Sequence, residues 1–118
     1  MSAFKTYKGG RLDLEHYKGM TISSFAIDVF NDDDTDFNLD VYDDIKIKVY
    51  EKIHGLLKLT FDFQGGISTD SPAGNTIYWT AQKTQMNLRP KLYYHECYGS
   101  KQSGAIQELI FHGVSDEI

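Results

Sequence analysis

The stretch Ser24–Lys52, SFAIDVFNDDDTDFNLDVYDDIKIKVYEK, decides the fold. Phe25, Ile27 and Val29 alternate with Ala26, Asp28 and Phe30, and after a carboxylate-rich turn Ile45, Ile47 and Val49 alternate with Lys46, Lys48 and Tyr50. A period of two on both sides predicts β-strands that each bury one face. Between them, Asn31 to Asp36 reads as a turn, because Asn and Asp bond their own backbone and tolerate left-handed conformations.

Outward from this core the same pattern repeats. Leu57, Leu59, Phe61 and Phe63 alternate with Lys58, Thr60 and Asp62, and Lys52 to Leu56 is the predicted hairpin. Thr76 to Ala81 places Ile77, Trp79 and Ala81 on one face. Lys91 to Tyr98 alternates Leu92, Tyr94, Glu96 and Tyr98 against Tyr93, His95 and Cys97. Gly99 to Gly104 is a predicted loop, and Ala105 to Val114 the last strand, with both faces apolar. Gln82 to Leu88 lacks the period of two and reads as one helical turn, stopped by Pro90. About seven short strands spaced near ten residues apart predict an all-β sandwich.

Residues 1 to 20 read differently, as an N-terminal arm preceding a domain over 21–118. Two glycines and a thin apolar pattern leave too little surface for a core strand throughout. Phe4, Tyr7, Arg11, Leu12, Leu14 and Tyr17 are its candidate interface residues. Deleting 1–19 is expected to abolish association while the domain still folds.

A chain of 118 residues suits one domain. No apolar run approaches the roughly 20 residues of a membrane span, and the first residues lack a signal-peptide stretch, so a chain made in the cytoplasm is expected. The net charge is −5, with eight carboxylates and no Lys or Arg from Asp28 to Asp44. An acidic face repels phosphate backbones, so neither nucleic acid nor membrane is an expected partner.

Catalytic motifs are missing. Asp32, Asp34 and Asp36 have the spacing of the first calcium-loop ligands, but Phe37 stands where the sharp turn needs glycine and Asp43 where it needs glutamate. His16, His54, His95 and His112 have no second His or Cys at ligand spacing and are expected on the surface. Cys97 has no partner thiol and reads as a small buried side chain. No catalytic, cofactor or metal residue is therefore assigned. Tyr78, Trp79, Tyr93, Tyr94 and Tyr98 gather in the second half; Trp79 is expected in the core with Ile77, and some of the tyrosines are expected to face outward as a binding surface, since tyrosine buries a large area while keeping a polar end.

TISSFAIDVFNDDDTDFNLDVYDDIKIKVYEK, LLKLTF, GGIST, GNTIYWTAQKTQMNL, RPKLYYHECYG and QELIFHGVS, in this order over about residues 20 to 115, resemble the immunoglobulin-like domain of the phage baseplate upper protein family, whose relatives recur in small tailed-phage virion proteins. Asn38 and Leu39 match its corner, Gly66 and Ile67 its G-I segment, Thr84 to Leu88 its helical turn, and Pro90, Lys91, Tyr93 and Tyr94 its late strand. Leu92 departs from the family's usual glycine. The resemblance implies an immunoglobulin-like sandwich without an active site or cofactor, located in a virion as a capsid decoration, head-fibre or tail component. Its implied partners are other virion proteins and copies of itself. A carbohydrate- or receptor-binding module is the alternative, which exposed aromatics on one face would favour.

Overall fold

The computed structural model describes residues 3–16, 22–52, 55–70, 74–82 and 92–117. Ten strands lie among them: β1 (Ala3–Tyr7), β2 (Gly10–Arg11), β3 (Leu14–His16), β4 (Ile22–Phe30), β5 (Asp44–Tyr50), β6 (Leu57–Phe61), β7 (Ile67–Thr69), β8 (Thr76–Gln82), β9 (Leu92–Lys101) and β10 (Ile106–Glu117). They form two sheets in the orders β1-β4-β8-β7 and β2-β10-β9-β5-β6, with β3 also paired to β10. The protein is all-β, and its two sheets make a sandwich. In a constant-type immunoglobulin sandwich the sheets run A-B-E-D and C-F-G. Here β1, β4, β8 and β7 take the first set of places and β5, β9 and β10 the second.

The core follows the alternation. Ile27, Val29, Ile45, Ile47, Val49, Ile77 and Trp79 are fully enclosed between the sheets, and each such side chain contributes roughly 1.5–3 kcal/mol by leaving water. The Trp79 ring is central, 5.7 Å from Phe25 and 5.4 Å from Phe61. The turn after β4 closes as read, with Asp34 left-handed at φ 66° and Asn31 N–H donating to Thr35 O at 2.8 Å.

Some expectations shift. Residues 3–16, read as an arm, run along the edges of both sheets: β1 lies parallel to β4, and β2 and β3 lie parallel to β10. At the crossing, Lys8 N–H donates to Phe30 O (2.9 Å) and the next amide, Gly9, to Ile110 O (2.6 Å). Gly9 makes the reversal at φ 80°, a region where a side chain is strained. Removing residues 1–19 would therefore strip an edge strand from each sheet.

Leu57 and Phe63 are 45% and 40% exposed, off the apolar face expected for them. The β5–β6 register slips between Val49 and Tyr50, so one extra residue, Lys58, turns Leu57 to the opposite face. Phe63 sits in the turn beyond β6. A similar slip between Leu109 and Phe111 buries Ile110 and Phe111 together. Gly99 to Lys101, expected in a loop, belongs to β9, where the Tyr42 ring covers Gly99 so closely that a Cβ would lie 2.5 Å from it. The reversal is instead the 3-10 turn Gln102–Gly104, and a second 3-10 turn, Leu39–Val41, is capped by the Asn38 side chain. The helical turn expected over Gln82 to Leu88 lies largely outside the described residues.

Candidate functional site

Inward burial on one parity of each strand dictates what the other parity presents. On β5, Ile45, Ile47 and Val49 are buried, which leaves Lys46, Lys48 and Tyr50 half-buried on the outer face. On β9, Tyr93, His95 and Cys97 are buried and Tyr94, Glu96 and Tyr98 face out. On β10, Phe111, Gly113 and Ser115 are buried and His112 and Val114 face out.

Strand register sorts these residues into rows. Leu57, Tyr50, Tyr94 and Val114 are aligned across four strands. Beside them run Thr60, Lys48, Glu96, His112 and Arg11. The Tyr50 and Tyr94 ring centres are 6.4 Å apart, and Tyr94 lies 6.3 Å from His112. Burial, reinforced by the Glu96 charge, raises the phenols of Tyr50, Tyr94 and Tyr98, the last to about 12. All three therefore remain neutral at ordinary pH, with a hydroxyl for hydrogen bonding and a ring for contact. A groove of about 400 Å³ opens at the end of this face between Arg11, Glu51, Lys52, Tyr94, His112 and Val114.

The six residues singled out in the first segment separate. Leu14 is 2% exposed and belongs to this chain's own core. Phe4 and Leu12 pack partly against that core, Phe4 with its ring 5.7 Å from Phe25. Tyr7 and Arg11 are exposed, Tyr7 donating to Asp34 Oδ1 and Arg11 Nε lying 3.0 Å from Asp13 Oδ1. Tyr17 lies outside the described residues. The contact between Tyr7 and Asp34 joins the first segment to the acidic turn within one molecule. Of the five that are described, Arg11 alone also lines the groove.

In the acidic turn, Asp33 Oδ1 accepts from both Thr35 Oγ1 (2.5 Å) and Thr35 N–H (3.2 Å), which lowers its pKa. Among the described residues no three His, Cys, Asp or Glu side chains converge to hold a metal ion. His95 and His112 occupy neighbouring strands but point to opposite faces.

His95 corrects the expectation of surface histidines, since it is fully buried. Its Nε2 lies 2.7 Å from Leu12 O and its Nδ1 2.6 Å from Ser115 Oγ. A carbonyl only accepts, so Nε2 carries the hydrogen, and in the neutral ring Ser115 donates to Nδ1. Burial holds its pKa down at about 4, against the opposing pull of the Leu12 carbonyl and of Asp13. Alternation signalled that Tyr93, His95 and Cys97 share a face. It carried no signal that this was the inner one, because Tyr94 and Tyr98 are the more apolar residues of the pattern.

Comparison with models of known protein families and with curated proteins finds no match.

Proposed function

We propose that the protein is a non-enzymatic structural component of a tailed-phage virion, held to other virion proteins and to copies of itself through the outer face of the larger sheet. The row Leu57, Tyr50, Tyr94 and Val114 carries this reading, because it lays apolar and aromatic surface across four strands with charged groups beside it. Aromatic centres with polar rims characterise protein contacts. The virion assignment rests on the sequence resemblance given above. Quantitative mass spectrometry of purified particles should find the chain in many copies, and its absence would reject the virion reading. Tyr50→Glu with Tyr94→Glu should leave the fold intact and remove the chain from particles. Unchanged incorporation would reject this face as the contact.

The groove favours a second reading, a carbohydrate- or receptor-binding module, since Tyr94 and His112 stand there beside Arg11, Glu51 and Lys52. Saturable binding on a glycan array, lost in Tyr94→Ala, would establish it in place of the first.

A further inference from the structure

The contact that fastens the first segment is built around a buried base. Between β2 and β3 the register with β10 is unbroken, and residues 12 and 13 make three close contacts there. Leu12 N–H donates to His112 O (2.8 Å), Asp13 Oδ1 accepts from Val114 N–H (2.9 Å), and the Leu12 carbonyl reaches inward to His95 Nε2. Gly113 permits this approach, since a Cβ there would lie 2.0 Å from Leu12 O. On its other sides His95 meets the rings of Trp79 and Phe111, at 6.0 and 5.6 Å.

We propose that His95 is an acid-operated latch on the N-terminal strands: a proton taken up by its imidazole frees residues 3–16 from the edges of both sheets while β4 to β10 stay paired. An imidazolium there keeps its bond to Leu12 O and turns the Ser115 bond round, so hydrogen bonding survives. What changes is a charge enclosed among aromatic rings, which is costly until water reaches it. Water arrives most cheaply by displacing residues 12–14, because β2 and β3 are short edge strands, whereas Trp79 and Phe111 lie at the centre of the sandwich.

The surrounding charges have been accommodated in this fold. Asp13 attracts an imidazolium, but its carboxylate is already engaged by Arg11 and by Val114 N–H. His112, on the outer face of β10, opposes protonation. Trp79 of β8, Phe111 and Ser115 of β10, and Val49 in register on β5 add no charge at neutral pH. Release uncovers one edge of β4 and one of β10, which are then open to another strand.

Hydrogen exchange read by mass spectrometry on the full chain, corrected for intrinsic rates, tests the latch. Protection of residues 3–16 should fall about tenfold per pH unit as pH drops from 6.5 to 4, the slope for uptake of one proton, while β5 and β9 keep theirs. His95→Gln retains an amide donor for Leu12 O and cannot titrate, so its protection should stay flat. The same acid loss in that variant, or simultaneous opening of every strand, overturns the proposal. Should the variant not fold, the ring resonances of His95 in the wild-type chain decide: their titration must coincide with loss of protection, and titration near 6.5 without that loss overturns it.

Discussion

His95 Nε2 stands 2.7 Å from the main-chain oxygen of Leu12, 83 residues away, so a side chain at the centre of the sandwich fixes the position of the first strands. The ring is neutral in the folded state and takes up a proton freely when unfolded. Its folded pKa of about 4 lies below the ordinary 6.5. The unfolded chain therefore binds more protons in that interval. Stability from this group is fully present above pH 6.5 and is lost as pH falls to 4, by about 3 kcal/mol at 1.36 kcal/mol per pKa unit. Urea titrations at pH 7 and 4.5 should show a larger drop for the wild-type chain than for His95→Gln. Equal drops would assign the acid sensitivity to carboxylates.

Gly113→Ala places a methyl group 2.0 Å from Leu12 O and 2.8 Å from Asp13 Oδ1. Backbone on one side and a bonded carboxylate on the other leave no flexible group to yield. A loss of about 3 kcal/mol is expected, at the upper end of ordinary overpacking costs. Gly65→Ala, where a Cβ meets nothing within 4 Å, serves as the control. Similar melting temperatures for the two variants would contradict the close approach at Gly113.

Cys97 is fully enclosed, and burial raises its thiol pKa well above the ordinary value. A thiolate is the reactive form, so alkylation of the native protein should be slow and should follow the opening of the sandwich. Rapid labelling of the native chain by iodoacetamide would place the residue at the surface instead.

Tyr42 donates from its hydroxyl to Glu108 Oε1 at 2.9 Å, and Lys8 and Lys101 lie 3.0 and 3.4 Å from the same carboxylate. Hydrogen bonds from Lys8 and Tyr42 hold that carboxyl down, at about 2. Tyr42→Phe keeps the ring over Gly99 and removes the donor, so it should cost about 1 kcal/mol. Calorimetry at neutral pH checks this, and an unchanged transition would mean that water replaces the phenol.

Local spacing carried the strand pattern around Phe25, Ile47 and Trp79, because one-sided burial imposes a period of two on any strand that packs in a sandwich. Residue type, not spacing, carried the burial of Cys97 and the left-handed turn at Asp34. Where register slips by one residue, at Lys58 and near Ile110, the same reading failed: a bulge is a property of two strands together and leaves no mark on either alone.

By itself, then, the sequence determined that this protein is a β-sandwich, since alternation and turn chemistry are local properties of the chain. Only the tertiary structure decided that residues 3–16 complete both sheets, that Tyr50 and Tyr94 face outward together, and that His95 lies buried. Each of these depends on which strand lies beside which, and pairing between residues as distant as Leu12 and His95 is settled by packing across the whole molecule.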